Sequence, residues 1–345
     1  MTTPCPPHRL RLDGIALVAN WRWLAARSGR AACGAAVKAD GYGLGARQVV
    51  ARLAAAGCRD FFVATWAEAA ALGTLPEGCS LSVLHGVRSE DMDIAASLNA
   101  RPVLNTPDQV RRWRDAGGGA CDVMIDTGIN RLGLAADDAV LLDGLEIETL
   151  MSHLACADED RPENDQQRRA LIEVAARVPH RRLSLANSAG ICLGPDFAFD
   201  LTRPGLALYG GVPRGEAAGG IRQVAFPDAQ VLQRRTVLAG GSVGYNATWT
   251  ALRDTEIAVL NIGYADGIRR ALSGAGQAFA GDAVLRFLGR VSMDLIAIDV
   301  SAAPELAEGD WVTIDYDLPR ASAASGVSQY ELLTGLGSRF ERSWF

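Results

Sequence analysis

The chain has 345 residues, 49% of them hydrophobic, and a formal net charge of −6. That length accommodates two domains, or one large barrel plus a smaller unit, and the apolar fraction supports a sizeable core. The acidic balance offers no basic footprint for nucleic acid, and no apolar run is long enough to span a bilayer. Met1 to Gly14 contains Pro4, Pro6, Pro7 and two arginines but no apolar h-region, so a secretory leader is not expected. The seven cysteines (5, 33, 58, 79, 121, 156 and 192) are dispersed and form no CxxC pair. They read as reduced thiols of a cytoplasmic protein, with no metal site.

Short apolar runs recur every twenty-odd residues through the first two-thirds, near 35–38, 61–64, 81–84, 102–104, 121–126, 146–151, 183–186 and 205–209. Helical patterns lie between them. Gly45 to Ala56 carries Val49, Val50, Leu53 and Ala54 on one face. Thr106-Pro107 supplies an N-cap and a first-turn proline for a helix to Ala116. Glu163 to Val178 places Leu171, Val174 and Ala175 on one face. Strands alternating with helices predict a parallel sheet, and eight such units suit a (β/α)₈ TIM-type barrel, with an open doubly wound sheet as the alternative. From about Ala225 the pattern turns β-rich. Strands are predicted at Ala229–Leu238, Glu256–Ile262, Ala283–Leu288, Leu295–Val300 and Trp311–Asp315, separated by glycine-containing turns. The expected division is a barrel over 1–225 and a mostly β domain over 226–345.

Barrel enzymes build their sites at the C-terminal ends of the strands. On this count Lys38 closes strand 1, His85 strand 3, Asn105 strand 4, His153 strand 6 and Tyr209 strand 8. Asp126 to Arg131 follow strand 5, and Asn187 and Ser188 follow strand 7. The polar residues therefore converge on one mouth. Lys38 is the only lysine in the chain, against 33 arginines. Arginine stays protonated and cannot act as an amine nucleophile, whereas a desolvated lysine can. A lone surface lysine left by compositional drift is the plainer explanation, but Lys38 ends a buried-looking strand, where an unpaired ammonium is costly.

The segment Val37-Lys38-Ala39-Asp40-Gly41-Tyr42-Gly43 resembles the pyridoxal-phosphate lysine motif of the alanine racemase family. Later segments agree in order: Asp126-Thr127-Gly128 through Arg131 and Gly133, His153 through Asp158, Asn187-Ser188-Ala189, and Arg203 through Gly210. Gly244-Tyr245, Gly263 through Gly267, Gly289 through Asp294, and Tyr330 follow. The resemblance runs from about residue 10 to the C-terminus and implies the same barrel-plus-β-domain fold. It implies a homodimeric enzyme with shared active sites, interconverting L- and D-alanine on pyridoxal 5′-phosphate. Lys38 would hold the cofactor and serve as one base, and Tyr245 of the neighbouring subunit as the second. His153 and Arg203 would provide the environment a tyrosine base needs, since an ordinary phenol titrates near ~10. Tyr42, Ser188, Gly205, Leu206 and Tyr330 match phosphate contacts. Arg131 and Met293 match contacts to the substrate carboxylate. Tyr264 with Tyr330 would narrow the entrance, and Asp158, Arg270 and Arg290 match its outer positions. Each charged residue of that outer set is, alone, an ordinary solvated side chain. Taken singly, Tyr245 also reads as a half-buried sheet tyrosine, His153 as a satisfied core histidine, and Arg203 as a salt-bridge partner of Asp200.

The sequence departs from the family where many members carry a carbamylated lysine two residues before Asp-Thr-Gly. That position is Met124, so Arg131 must be positioned by other groups. The family's common histidine after Tyr-Gly is Leu44 here, a minor change. A serine or broad-spectrum racemase on the same scaffold is the near alternative. A decarboxylase would want a carboxylate where Arg203 stands and a glycine-rich phosphate loop that is not found. A non-catalytic cofactor-binding protein would need neither the β domain nor Tyr245.

Overall fold

In a computed structural model, residues 6–345 are described, and they form two compact units, Leu17–Arg222 and the N-terminal stretch to Ala16 together with Gln223–Phe345.

In the first unit seven strands pair in parallel in chain order: Ala35–Ala36, Asp60–Val63, Ser80–Val83, Arg101–Leu104, Cys121–Met124, Ile147–Met151 and Arg182–Ser184. An eighth, Leu201–Thr202, pairs in parallel with Ala32–Cys33. Its neighbours complete the ring: Asp200 and Arg203 N–H donate to Leu183 and Ala186 carbonyls on one side, while Gly34 and Ala36 N–H donate to Thr202 and Pro204 carbonyls on the other. The expected eight-stranded barrel is therefore closed. Asp60–Val63 and Cys121–Met124 are buried at every position, as strands covered on both faces must be. Helices fall where predicted. Pro107–Asp115 starts with Thr106 accepting from Gln109 N–H, and Ala46–Ala56 buries Val49, Val50, Leu53 and Ala54.

One strand lies elsewhere than expected. The eighth strand is 201–202, and Leu206–Tyr209 is a 3₁₀ turn after it. Tyr209 does not close a strand: it is fully buried, and its hydroxyl donates to the Ala36 carbonyl. The run 205–209 is apolar because the turn is packed, and apolarity alone does not separate a buried turn from a strand.

At the N-terminal ends of the barrel strands the interior is charged. Arg182 pairs with Asp60 at 2.8 Å and with Glu148 at 3.3 Å, and Asp122 accepts from Ser82 at 2.6 Å beside Arg101. This layer lies at the opposite end from the predicted site, where a barrel invests in stability.

The second unit is built on a mostly antiparallel eight-stranded sheet whose longest strand, Ala225–Val237, pairs with His8–Leu12, Trp311–Ile314 and Thr255–Leu260. The N-terminal strand was assigned to the barrel by the 1–225 division, but it belongs here. Leu10 and Leu12 are fully buried on one face, while Arg9 and Arg11 both reach Asp228 on the adjacent strand, at 3.1 and 2.6 Å. Gln277–Ala280, Ala283–Leu288, Ile296–Asp299 and Glu341–Trp344 complete the sheet, and two short helices, Leu318–Ser325 and Gln329–Thr334, precede the last strand.

Candidate active site

The lysine begins an unusual turn. Residues 39–42 coil left-handedly, with φ of 52° at Ala39 and Asp40, 63° at Gly41 and 57° at Tyr42. A left-handed residue with a Cβ costs about 1–2 kcal/mol, so three of them persist only if the surroundings over-determine the turn. Gly41 and Gly43 N–H donate to Val37 and Ala39 carbonyls, each at 2.8 Å, and Asp40 Oδ1 accepts from Ala46 N–H at 2.8 Å. Glu68 accepts from Ala39 N–H at 2.9 Å. At Gly41 a side chain would lie 3.1 Å from the Ala46 backbone, so both its φ and its close approach require glycine.

Tyr42 stacks on Tyr209, with centroids 4.6 Å apart, and its hydroxyl occupies the space a Cβ on Gly205 would fill. Ser188 starts a short helix capped by Asn187, and its Oγ accepts from the N–H groups of Gly205 at 2.9 Å and Ala207 at 3.2 Å. Tyr42, Ser188, Gly205 and buried Leu206 thus converge after strands 1, 7 and 8. The group consists of hydroxyls and backbone amides with room made by a glycine.

Arg203 is buried. It donates to Ser184 Oγ and, at 2.6 Å, to the Ser152 carbonyl. The competing Asp200 salt bridge does not form: Asp200 Oδ2 accepts instead from Leu183 N–H, 2.8 Å away. Burial lowers the Arg203 pKa to about 10, against the opposing influence of Asp122. Burial together with Arg203, Arg131 and Lys38 drives His153 down to about 3, so its ring is neutral at ordinary pH. Lys38 is also lowered, chiefly by burial and then by Arg131 and Arg203, with Glu68 opposing them. The mouth is therefore a cationic group of Lys38, Arg131 and Arg203, and among the described residues no carboxylate pairs with Arg203. Such a donor set fits an anionic phosphate cofactor and a carboxylate substrate.

Arg131 projects from an exposed loop pinned by Asp126, whose Oδ1 accepts from Gly128 and Asn130 N–H at 2.9 and 3.1 Å. Met124 packs into an apolar cluster with Phe62, Val103, Met151 and Leu201. Polar support for the loop comes from elsewhere. Thr127 Oγ lies 2.7 Å from Ser152 Oγ, and Gln167 Nε2 donates to Thr127 Oγ and the His153 carbonyl while its Oε1 accepts from Ala155 N–H. Sequence reasoning missed Gln167 and Glu68. Only Glu68 had a signal, the capping-box spacing Thr65-x-x-Glu68.

The second unit carries the other predicted residues. Tyr245 is 70% exposed on a turn following Gly244, and Met293 and Tyr264 are 53% and 41% exposed. Tyr264 and Ala265 N–H donate to Ser292 and Met293 carbonyls, each at 3.0 Å, and Gly244 lies against the backbone of Arg290. The 289–293 loop thus gathers Tyr245, Tyr264 and Met293. Tyr330 is 46% exposed on the helix Gln329–Thr334. Asp158, Arg270 and Arg290 do not take part in the polar contacts described above.

A closed barrel with a lysine at its C-terminal mouth, joined to a β domain, defines a class of fold. The N-terminal-domain model of alanine racemase matches residues 12–213 and the C-terminal-domain model residues 224–344. Over 348 residues the chain is 42% identical to an alanine racemase of Acidiphilium cryptum, covering 96% of this chain and 97% of that protein. A catabolic alanine racemase of Agrobacterium fabrum is 41% identical, covering 97% and 91%. The crystal structure of alanine racemase from Bartonella henselae with covalently bound pyridoxal phosphate superposes with a TM-score of 0.90 at 35% identity, covering 99% of this chain and all of that one. The biosynthetic alanine racemase of Pseudomonas aeruginosa gives 0.89 at 31%, with the same coverage. The chain belongs to the alanine racemase family.

Proposed function

We propose that this protein is an alanine racemase that interconverts L- and D-alanine on pyridoxal 5′-phosphate. The observation that carries the reading is the sole lysine, half-buried at the barrel mouth beside a group of neutral donors and two arginines. Lys38 would hold the cofactor covalently, and Tyr42, Ser188, the Gly205–Leu206 backbone and Tyr330 would be the contacts to its phosphate. The cofactor supplies the electron sink that makes the Cα proton of alanine removable. Lys38, neutral when freed, takes or returns that proton on one face, and Tyr245 of a second copy does so on the other. Arg203, a donor that accepts no proton, would be the partner of the cofactor's ring nitrogen and would leave that nitrogen largely unprotonated. Arg131 and the Met293 N–H hold the substrate carboxylate, and Tyr264 with Tyr330 restricts the side chain to a small one.

The working form is a homodimer. Tyr245, Met293, Leu295 and Tyr264 are large, exposed and partly apolar residues of one unit, a surface that soluble proteins normally use for association. No described helix is long and apolar enough to cross a membrane, and the six described cysteines are free, which accords with a reducing, cytoplasmic setting. The test is a visible spectrum of the purified protein with pyridoxal phosphate, before and after borohydride, followed by peptide mapping. Reduction should fix the cofactor on Lys38, and purified enzyme should racemise alanine. A colourless protein that reduction leaves unlabelled would overturn the reading.

A further inference from the structure

Glu68 sits on the helix Trp66–Leu72, the third residue of its first turn, with Thr65 as N-cap. An ordinary capping box needs two bonds, and both are present: Thr65 Oγ accepts from Glu68 N–H at 3.2 Å, and Glu68 Oε2 accepts from Thr65 N–H at 3.4 Å. The shorter bonds of this carboxylate go beyond the box. Oε2 accepts from Ala64 N–H at 2.7 Å, at the end of the second barrel strand, and Oε1 accepts from Ala39 N–H at 2.9 Å. That last N–H belongs to the peptide plane that carries the Lys38 carbonyl. Holding it fixes the rotation of the backbone immediately after the lysine, where the chain enters the left-handed conformation. Val37 N–H, at the foot of the turn, also reaches the second strand, donating to the Phe62 carbonyl at 2.8 Å, whereas the bonds from Gly41, Gly43 and Ala46 N–H run within residues 37–46 and move with the turn. Glu68 ties it to a different strand.

The charge is placed to matter as well. The charged groups bearing on Lys38 are Arg131, Glu68 and Arg203, with neutral His153 beside them. Glu68 is the one carboxylate in that set. Charge-assisted bonds from backbone N–H to carboxylate are the short, strong kind, so one side chain clamps the turn and offsets the surrounding positive field.

We propose that Glu68 is a positioning residue for Lys38, clamping the left-handed turn that presents the amine to the second barrel strand and supplying the amine's nearby counter-charge. The proposal rests on the reading of Lys38 as the working amine. Because the chain has a single lysine, the test is unusually direct. The full-length chain, freed of cofactor, is reductively methylated with ¹³C-formaldehyde, and the single dimethyl-lysine resonance is titrated by NMR. In E68Q, removing the carboxylate leaves burial and the two arginines unopposed, so the midpoint moves to lower pH, by about half a unit or more. The loaded E68Q enzyme loses kcat, by about tenfold or more from the displaced amine, with KM for alanine little changed. E68D keeps the charge and restores most of the midpoint. T65A removes the helix cap alone, so it lowers the melting temperature without moving the midpoint. An E68Q midpoint equal to wild type, or the same displacement in T65A, overturns the proposal. Borohydride labelling of Lys38 by pyridoxal phosphate is read separately. Its failure in the wild type counts against the cofactor reading, whatever the titration shows.

Discussion

Tyr245 stands largely in solvent on a turn of left-handed residues, a position that no packing argument explains, since it buries little of its ring. Its presence there makes sense if its hydroxyl is needed elsewhere. Replacing it with Phe should leave pyridoxal phosphate bound, seen as an unchanged visible spectrum, while racemisation of alanine falls by at least about a hundredfold. Unchanged turnover would remove Tyr245 from the reaction. His153 makes a prediction about stability. Its folded pKa is depressed from 6.5 to about 3 by burial and by Arg203, Arg131 and Lys38. Below 6.5 the unfolded chain takes up a proton that the folded one refuses, so stability is lost as pH falls from 6.5 toward 3. In the cofactor-free protein, H153Q should flatten that part of the acid limb. Urea midpoints at pH 7 and pH 5 would show it, and an identical slope in both proteins would refute it.

At the scale of elements, the left-handed turn is the feature that most distinguishes this barrel mouth. Gly41 → Ala adds a Cβ at φ 63° and within 3.2 Å of Ala46 and Val49. It should cost about 1–3 kcal/mol of stability, measured by denaturant unfolding, and should slow cofactor capture because the turn carries Lys38. A variant as stable as wild type would mean that the turn does not hold this conformation. The same element shows what was legible in advance. The glycine-rich string after Lys38 announced a loop at a strand end, and Thr106-Pro107 and the 46–56 face announced helices that form where expected. The left-handed coil itself was not legible, because Ala39 and Tyr42 ordinarily avoid it and an aspartate such as Asp40 enters it only as a single residue. The 205–209 run misled for a related reason: burial of a 3₁₀ turn produces the same apolar string as burial of a strand.

For the whole molecule, the homodimer proposed above would place the exposed Tyr245, Tyr264, Met293 and Leu295 against its partner. Sedimentation should show a dimer, and activity should fall on dilution below its dissociation constant. A fully active monomer would contradict a site shared between copies. The N-terminal strand bears on the same scale. Its alternating His8–Leu12 pattern, buried and half-buried in turn, was present in the sequence, yet nothing local could say that it pairs with residues more than two hundred positions away.

The sequence by itself determined the alternation of strands and helices, the β-rich final third, the single lysine and the ordered motifs that tie the chain to its family. These are legible because they rest on periodicity, turn chemistry and residue identity, all of which are local. It also established that Met124 leaves no lysine to support Arg131. Only the tertiary structure decided which groups take up such tasks: Thr127, Ser152 and Gln167 brace the loops around Arg131 and His153, Ser184 and Ser152 hold Arg203 in place of Asp200, and Glu68 reaches the turn of Lys38. Those choices depend on which strand ends the closed barrel brings side by side. A hydrogen bond of about 3 Å between residues 19 to 51 positions apart leaves no periodic trace along the chain.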